Sequence, residues 1–347
     1  MGVGIVGVGT VGVGTVGVGT VGVGIVGLGF MGRTHLAAYA GNAGAEVRAL
    51  FDPSTRAATA GNLITGSGAA DQLLATLPRM ESFEALLARP DVHLVSICTP
   101  TDTHVALVRK AIAAGKHVLV EKPTSLDADA IDALADEADA AGVLVMPAHC
   151  MRFWPAWAWM ADAVRSRRFG RPLRASFRRL GAQPSWSQDF YLDTSRSGGA
   201  LVDLHIHDAD FVRHAFGEPV EVASSGTRMH VTSRYRFGDG LVVEAEGGWM
   251  EDPAFQFTMT ATIACEKAVL DFQLGRTPEL LVRRDGAEHA VHAGTDYPLG
   301  TGYDHEVAAL VTAIAVARGG KSAAPVGLRD AAATQRLLDR EAAQISS

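Results

Sequence analysis

Cysteine is scarce in this sequence, and its distribution does not fit a disulfide framework. The 347 residues include three cysteines, Cys98, Cys150 and Cys265, which are far apart and set in apolar stretches. Secreted disulfide domains have even, closely spaced sets of cysteines, and zinc sites have paired ones. We therefore expect three buried thiols in a reducing compartment, which predicts a cytoplasmic protein.

Positive charge is also in short supply. The chain has 31 Lys and Arg against 38 Asp and Glu, which gives a formal net charge of −7. Such a surface repels phosphate backbones and anionic lipids, so we expect neither nucleic acid nor a membrane as a partner. Hydrophobic residues make up 48% of the chain and charged residues 20%, as in globular proteins that bury a core.

The N-terminal segment has no charged residue before Arg33, and residues 2–31 repeat a five-residue Gly/Val unit. A signal peptide would need a basic start and a small-residue cleavage site, and frequent glycine disfavours a membrane helix. Residues 2–6 and 22–26 have the same sequence, so deletion of 7–26 would leave a complete strand-to-helix start. We interpret residues 1–21 as a repetitive tail outside the fold; the alternative is an aggregation-prone or adhesive tail.

Beyond the tail, the hydrophobic pattern predicts two domains. Strands alternate with helices over residues 22–148, which predicts an α/β domain with a parallel, doubly wound sheet. A Gly-rich stretch at 62–79 is expected to be a loop. Residues 149–347 begin with helices, including one continuous helix over 199–216, and continue with strands joined by tight turns. This second part predicts an α+β domain with an antiparallel sheet and C-terminal helices.

Residues 27–32 (GLGFMG) fit the pattern G-x-G-x-x-G, which the repeat also produces in other frames. Only this copy follows a predicted strand, opens a helix and precedes an acidic residue, Asp52, by about 20 residues. The glycines allow a tight turn, close approach to a pyrophosphate and helix–strand packing, while Asp52 would bind ribose hydroxyls and favour NAD over NADP. The alternative is a Gly-rich turn without a ligand. The expected cofactor-binding residues here are Gly27, Gly29, Phe30, Met31, Gly32 and Asp52.

Polar residues follow two further strands at the edge where ligands bind open parallel sheets. Thr99 begins one such segment, and His104 lies at the start of the next helix, where it could contact the cofactor or only cap a turn. Glu121 and Lys122 end the next strand before Pro123, and the lysine could stabilise a developing alkoxide. The alternative for this pair is a solvated charge pair at a strand end. We expect Thr99, His104, Glu121 and Lys122 to lie near the cofactor.

The segment Gly198–Asp210 has the highest density of polar groups. On a continuous helix, Asp203 and His207 are four residues apart and share one face, which suits a general acid–base pair. His205 and His207 would be ~200° apart around the helix and could not easily share an ion, so we expect no metal site. An ordinary helix with solvent-facing acids is the remaining alternative.

These motifs together resemble the Gfo/Idh/MocA oxidoreductases, the glucose–fructose oxidoreductase and inositol dehydrogenase family. The resemblance covers nearly the whole chain beyond the repeat. It rests on Gly27-x-Gly29-x-x-Gly32, Asp52, Thr99-Pro100 with His104, Glu121-Lys122-Pro123, Arg152-Phe153, Phe169-Gly170, Gly198-Gly199, Asp203-x-x-x-His207, and Tyr303 with Glu306. The sequence departs from the family at His205, where glycine is frequent, and at Thr101, where asparagine is frequent.

The resemblance implies a Rossmann domain, followed by a domain with a large open, mostly antiparallel sheet that often forms the oligomer interface. It implies hydride transfer between NAD(P) and a secondary alcohol or ketone of a sugar, cyclitol or related polyol. Lys122 takes the place of the family's active-site lysine, and Asp203 and His207 take the place of its D-x-x-x-H pair, with His207 as proton acceptor. We accordingly expect a homo-oligomer.

Arg152 follows the domain junction, where it could bind substrate hydroxyls or a carboxylate. The expected substrate-binding residues are Lys122, Arg152, Asp203 and His207. Trp154 and Trp157 lie close by in sequence and would either stack on a sugar or pack in the core. Two other functions stay open: a redox-neutral NAD-dependent glycosidase, and a non-catalytic NAD(P)-binding regulatory protein.

Overall fold

The computed structural model describes residues 19–53, 68–185, 188–317 and 322–346. Most of the predicted tail, residues 1–18, therefore lies outside the described residues, as does the first part of the expected Gly-rich loop. The first strand begins at Val21, one residue before the predicted boundary, and Val21 is already buried.

The first half of the chain forms a five-stranded parallel sheet with helices between its strands. Its elements are β1 (Val21–Val26), α1 (Phe30–Ala40), β2 (Ala45–Phe51), α2 (Gly68–Thr76), α3 (Phe83–Leu87), β3 (Leu94–Ile97), α4 (His104–Ala113), β4 (His117–Glu121), α5 (Ala128–Ala141) and β5 (Val145–Ala148). The strand order is β2-β1-β3-β4-β5, and every neighbouring pair is parallel. The predicted α/β class of this half is confirmed, because hydrophobic strands buried on both faces require helices on either side.

Helix α2 contradicts the loop predicted over 62–79. Residues 68–76 are helical, and Leu73, Leu74 and Leu77 pack against the apolar cluster between the first sheet and α1. Three glycines and several small residues at 61–70 predict a loop, whereas the leucines that follow bury enough apolar surface to hold a helix. Tertiary packing thus overrides the local composition.

The second half forms one eight-stranded sheet with helices on one face. Its elements are α6 (Pro155–Arg165), β6 (Pro172–Ala182), α7 (Gln188–Tyr191), α8 (Thr194–Ser197), α9 (Gly199–Asp203), α10 (Ile206–Phe216), β7 (Glu221–Thr227), β8 (His230–Arg236), β9 (Val242–Met250), β10 (Thr258–Cys265), β11 (Val269–Gln273), β12 (Leu280–Arg284), β13 (Ala287–Val291), α11 (Gly302–Ala317) and α12 (Leu328–Ala342). The order is β13-β12-β11-β10-β6-β9-β8-β7, and β6–β9 is the parallel pair in an otherwise antiparallel sheet. The expected large, mostly antiparallel sheet is confirmed.

The two faces of this sheet differ sharply. Aromatic side chains fill the covered face, where Trp157 of α6 contacts Phe177, Phe211 and Phe272. The opposite face carries charged pairs such as Arg178–Glu246 and Arg234–Glu244. The alternation of buried and exposed residues along β8 is what a sheet with one solvated face requires.

The last two helices return to the first sheet. Helix α11 packs on α1 and β1, and α12 packs on α5, so the C-terminal segment covers the N-terminal domain as well as its own. The two halves of the chain therefore share apolar clusters rather than meeting at a single linker.

The predicted continuous helix over 199–216 is wrong. The structure divides it into α9 and α10, with Leu204 and His205 between them.

All three cysteines are unpaired; Cys150 and Cys265 are buried, and Cys98 is partly buried. In the ranges that the structure covers, no helix is both long enough and apolar enough to cross a bilayer. Those same ranges hold no cluster of three or more potential metal-ligating His, Cys, Asp or Glu residues.

Candidate active site

The glycine-rich turn after β1 is shaped by close backbone contacts. Gly27 has φ of +85°, and a Cβ at this position would lie 2.7 Å from the carbonyl oxygen of Cys98. A Cβ at Gly32 would collide with the carbonyl oxygen of Gly27. Glycine is therefore required at both positions, one for the turn and one for packing α1 against it.

Gly29 is different, because nothing requires glycine there within the protein itself. A Cβ at Gly29 would have no neighbour within 4 Å, and φ is −66°, which any residue adopts. No side chain caps the amides of the first turn of α1, and Phe30 and Met31 are half-buried there. The open space above Gly29 and the uncapped amides fit a pyrophosphate, so the residues present fit a dinucleotide.

Asp52 follows β2 and turns towards the same loop. Its Oδ2 accepts a hydrogen bond from the backbone amide of Leu28 at 2.7 Å. This contact holds the carboxylate against the glycine-rich turn, at the position where the ribose of a bound dinucleotide would lie.

His104 joins two of the strand-end loops. It is buried, with Nδ1 at 2.9 Å from the carbonyl oxygen of Pro123 and Nε2 at 2.7 Å from that of Thr99. Burial lowers its pKa. Both ring nitrogens face backbone carbonyl oxygens, of which the neutral ring donates to one, so His104 links the loops that follow two strands and its nitrogens are directed at the protein backbone. The Thr99 hydroxyl pairs with the Thr103 hydroxyl at 2.7 Å.

Glu121 is likewise used within the protein. Its Oε1 lies 3.0 Å from Nε2 of His35, whose Nδ1 lies 2.7 Å from the Ser96 hydroxyl. Its Oε2 accepts a hydrogen bond from the amide of Lys122 at 3.1 Å. Burial raises the pKa of Glu121, but the hydrogen bond with His35 and the charges of His35, Lys122 and His104 together outweigh burial, so the pKa is lowered. Glu121 therefore fixes the backbone that carries Lys122.

Lys122 connects the two domains. Its Nζ donates to the carbonyl oxygen of Asp203 at 2.6 Å and to Asp203 Oδ1 at 2.9 Å. The lysine side chain is 14% exposed and the aspartate side chain 25% exposed, so the pair is only partly screened by water. The structure thus brings together two predicted site residues that are 81 positions apart in the sequence.

His207 lies beside this pair without a partner of its own. The residue is half-buried, and its Nδ1 is buried without a hydrogen bond. Burial, then the charges of Lys122 and Arg179, hold its pKa well below the usual value. His207 is therefore neutral near pH 7 and can accept a proton.

The structure corrects the expected relation of Asp203 to His207. Because the helix is interrupted at Leu204 and His205, the two residues do not belong to one regular helix. Asp203 is paired with Lys122 instead. His205, where the sequence departs from the family, is fully buried against Tyr235 and Glu341.

Arg152 has a different role from the one expected. Its Nε and Nη2 donate to both oxygens of Asp210 at 2.7 and 2.6 Å, and Nη1 contacts Asp330. With its side chain 8% exposed and its donors taken by two carboxylates, the guanidinium is not free for a substrate. Trp157 belongs to the core, and Trp154 packs edge-on against Tyr303.

Two residues near the site were missed. His149 follows β5 and lies with Nδ1 3.5 Å from Asp210 Oδ1, and Arg179 on β6 pairs with Asp208 at 2.9 Å. Both contribute to the low pKa of His207. His149 has a signal in the sequence, because it follows an apolar strand as Lys122 does. Arg179 has none, since an inward-facing arginine interrupts the pattern of its strand.

Comparisons with known proteins agree with this geometry. Residues 21–149 match the Gfo/Idh/MocA model described as "Oxidoreductase family, NAD-binding Rossmann fold", and residues 157–271 match the "GFO/IDH/MocA C-terminal domain". The chain belongs to the Gfo/Idh/MocA family, and the expectation of an NAD-type cofactor is confirmed at the level of the family.

Among its relatives, inositol 2-dehydrogenase of Rhizobium meliloti (strain 1021) is 32% identical over 195 residues, 56% of this chain and 54% of that protein. UDP-N-acetylglucosamine 3-dehydrogenase of Acidithiobacillus ferrooxidans is 36% identical over 42% of each chain. The chain thus spans about half the length, or less, of the curated relatives it matches.

Solved structures extend the fold similarity to nearly the whole chain. A levoglucosan dehydrogenase in complex with NADH and levoglucosan superimposes with a TM-score of 0.77, covering 94% of this chain and 98% of that one at 22% identity. The structure of the Acidithiobacillus ferrooxidans enzyme gives a TM-score of 0.74 at 24% identity, covering 93% and 97%. At these identities the likeness establishes the shared two-domain fold.

Proposed function

We propose that this protein is an NAD(P)-dependent oxidoreductase that transfers hydride between nicotinamide and a secondary alcohol or ketone of a sugar, cyclitol or related polyol. The observation that carries the proposal is the Lys122–Asp203 pair beside a neutral, unpartnered His207. A donor for an alkoxide-like oxygen and an acceptor for its proton are what oxidation of an alcohol requires. The relatives named above are dehydrogenases of such compounds.

The side chains divide the work. Nicotinamide, when bound, supplies the acceptor or donor of hydride. The Lys122 ammonium donates to the reacting oxygen of the substrate and stabilises the charge that develops there. His207 accepts the hydroxyl proton, and Asp203 holds the Lys122 ammonium in place. Arg152 does not contact the substrate in this proposal; it holds α10 in place through its hydrogen bonds to Asp210.

The cofactor is proposed to be NAD, with NADP as the alternative. The glycine-rich turn, Asp52 and the strand-end residues at Thr99 and Lys122 would hold it. The Asp52 carboxylate, fixed by the Leu28 amide at 2.7 Å, would face a 2′-phosphate with like charge. We expect kcat/KM for NAD to exceed that for NADP by about tenfold or more, measured by steady-state kinetics.

The proposed function is tested by following NADH absorbance with purified protein, NAD and a panel of cyclitols, aldoses and sugar acids. Formation of NADH with one class supports the proposal and names the substrate class. With glycosides added to the panel, release of a sugar without net NADH would favour the redox-neutral glycosidase. Calorimetric NAD binding with no reaction across the panel would favour the regulatory protein, and absence of NAD binding would contradict the proposal altogether.

Gly29→Val should separate cofactor binding from stability. Because the open space at Gly29 accepts a side chain without a clash, we expect only the small loss of melting temperature that valine causes at an N-cap. NAD affinity should fall about tenfold or more, since the new side chain occupies the expected path of the pyrophosphate. The matched control is Gly41→Val at the other end of α1, where a Cβ has only ordinary contacts, the nearest at 3.7 Å. Equal NAD affinity of the two variants by calorimetry would contradict the placement.

Removal of residues 2–18 should leave the enzyme unchanged. The deletion keeps β1 from Val21 onwards, together with every buried residue of the first sheet. We therefore expect kcat and the melting temperature to match those of the full chain. A loss of either in kinetics or calorimetry would mean that the repeat takes part in folding or function.

We also propose a cytoplasmic homo-oligomer that associates through the charged face of the eight-stranded sheet. Three unpaired cysteines support a reducing compartment. The exposed, charged face of the sheet supports the interface, which would be polar, with pairs such as Arg178–Glu246 and Arg234–Glu244 in it. Sedimentation equilibrium of the wild type and of Thr262→Arg, a change on an exposed position of β10, tests it. A monomeric wild type would contradict it.

A further inference from the structure

The chain bends between the two candidate active-site residues Asp203 and His207. The amides of Leu204 and His205 both donate to the carbonyl oxygen of Ala200, each at 2.9 Å. The second of these bonds spans five residues, so one extra residue is wound into the backbone, as in a π-type turn. The orientation of His207 relative to Asp203 is therefore set by this bend and not by regular helix geometry.

The His205 side chain anchors the bend in the core of the second domain. It is fully buried, with Nε2 at 2.9 Å from Glu341 Oε2 on α12 and 3.1 Å from the Tyr235 hydroxyl on β8. Glu341 is fully buried as well, and it accepts hydrogen bonds from Tyr235 at 2.8 Å and Ser233 at 2.9 Å. The bend is thus tied to both a sheet strand and the last helix.

The space for this side chain depends on Gly247 of β9. A Cβ at Gly247 would lie 2.6 Å from the Cβ of His205 and 2.9 Å from its Nδ1. Any larger residue at 247 would push the imidazole out of its place. The His205 side chain therefore packs against β9 only because residue 247 is glycine.

Charged groups surround His205 from several elements. Burial lowers the pKa of His205, but Glu341 of α12 outweighs burial and the pKa is raised. Asp208 of α10 acts in the same direction, whereas Arg179 of β6, which pairs with Asp208, acts against it.

We infer that His205 is a positioning residue for His207: by anchoring the bend to Glu341 and Tyr235, it fixes where the His207 imidazole lies relative to Asp203 and Lys122. The inference rests on the proposed function for its consequence in catalysis. Its structural part, the placement of His207, can be tested on the protein alone.

The first experiment compares His205→Ala with His205→Gln and with Leu270→Ala, a buried control on β11. We expect kcat of His205→Ala to fall about tenfold to a hundredfold, because a small displacement of the base is costly. The KM for NAD should stay unchanged, and His205→Gln should recover part of kcat by donating to Glu341. Leu270→Ala should lose thermal stability without losing kcat. Equal losses of kcat in His205→Ala and Leu270→Ala would overturn the inference.

The second experiment needs no substrate. The nuclear magnetic resonance signal of His207 Cε1, assigned by its loss in His207→Gln, is recorded in the wild type and the variants. We expect its position and titration to change in His205→Ala and to stay unchanged in Leu270→Ala. An unmoved signal overturns the inference, whereas a moved signal in a protein that turns over no substrate leaves the inference standing and contradicts the proposed function.

If His205→Ala does not fold, Tyr235→Phe and Gly247→Ala take its place. Tyr235→Phe removes one hydroxyl from the anchor, and Gly247→Ala displaces His205 from the side of β9. Both should shift the His207 signal in the same direction as His205→Ala is expected to, because both weaken the anchor of the bend. If both leave the signal and kcat as in the wild type, the inference is wrong.

Discussion

Replacing Lys122 with methionine should lower kcat about 10³-fold while NAD affinity stays within about fivefold of the wild type. Methionine keeps the length of the side chain and removes the ammonium that lies 2.9 Å from Asp203 Oδ1. The donor for the developing charge on the substrate oxygen is then absent. NAD is still held by the glycine-rich turn and Asp52, neither of which depends on this charge.

The control is Lys110→Met on α4, whose side chain is 56% exposed and pairs with Glu84 on the surface. Its kcat should be that of the wild type. Steady-state kinetics on the substrate found in the panel, with calorimetry for NAD, measure both variants. A Lys122→Met enzyme within about tenfold of the wild-type kcat would show that another group stabilises the reacting oxygen.

The contact between Lys122 and Asp203 also predicts that the effects of their substitutions on kcat are not additive. Asp203→Asn should lower kcat because the lysine loses the carboxylate that holds it, at 2.9 Å from Nζ. The double variant should be no worse than Lys122→Met alone, since the aspartate acts through a lysine that is no longer there. Additive losses would instead mean that Asp203 contributes through its own contact with the substrate.

Much of the fold could be predicted because its signals are local. β2 over Ala45–Phe51 is one of the alternating strands predicted for residues 22–148, since an apolar run between turn residues is enough to indicate a buried strand. β6 was missed although it lies in the middle of the second sheet, between β9 and β10. Its inward position 179 is an arginine, which breaks the apolar alternation and is tolerated only because Asp208 pairs with it in the core.

The site was predictable only in part, for the same physical reason. The glycine pattern and Lys122 could be found because each depends on its own strand end. The bend at His205 could not, because it is held by Tyr235 and Glu341, which are distant in sequence. The position of Arg152 after the domain junction predicts contact with the substrate, but its actual partners cannot be identified from the sequence. Its partners, Asp210 and Asp330, are 58 and 178 residues away.

The buried ion pair between Arg152 and Asp210 carries the largest stability effect that we predict. Arg152 lies in the turn after β5, Asp210 on α10, and Asp330 and Thr334 on α12, so the cluster joins three segments. The side chains of Arg152 and Asp210 are 8% and 1% exposed. Without the Asp210 carboxylate, the buried Arg152 guanidinium keeps only the more exposed Asp330 as a partner. A buried charge that has lost its buried partner is strongly destabilising.

Asp210→Asn should therefore lower the free energy of unfolding by about 3 kcal/mol at pH 7. Asp330→Asn removes the other carboxylate of the same guanidinium, but Asp330 is 39% exposed. Its cost should be about 1 kcal/mol or less, because solvent screens a half-exposed pair. Urea denaturation measures both variants. Equal losses of unfolding free energy in the two variants would mean that burial does not determine how much each carboxylate stabilises the fold.

The effect of Asp210 should also depend on pH. Burial raises the pKa of Asp210, but His149 and Arg152 outweigh it and the pKa is lowered. A carboxyl whose pKa is lower in the folded state contributes its full stability above the unfolded-state pKa of about 4 and loses it as the pH falls towards the folded-state value. The gap between wild type and Asp210→Asn should thus be constant from pH 5 to 7 and narrower at pH 3. A gap that stays the same at pH 3 would mean that the lost stability comes from packing and not from the charge of Asp210.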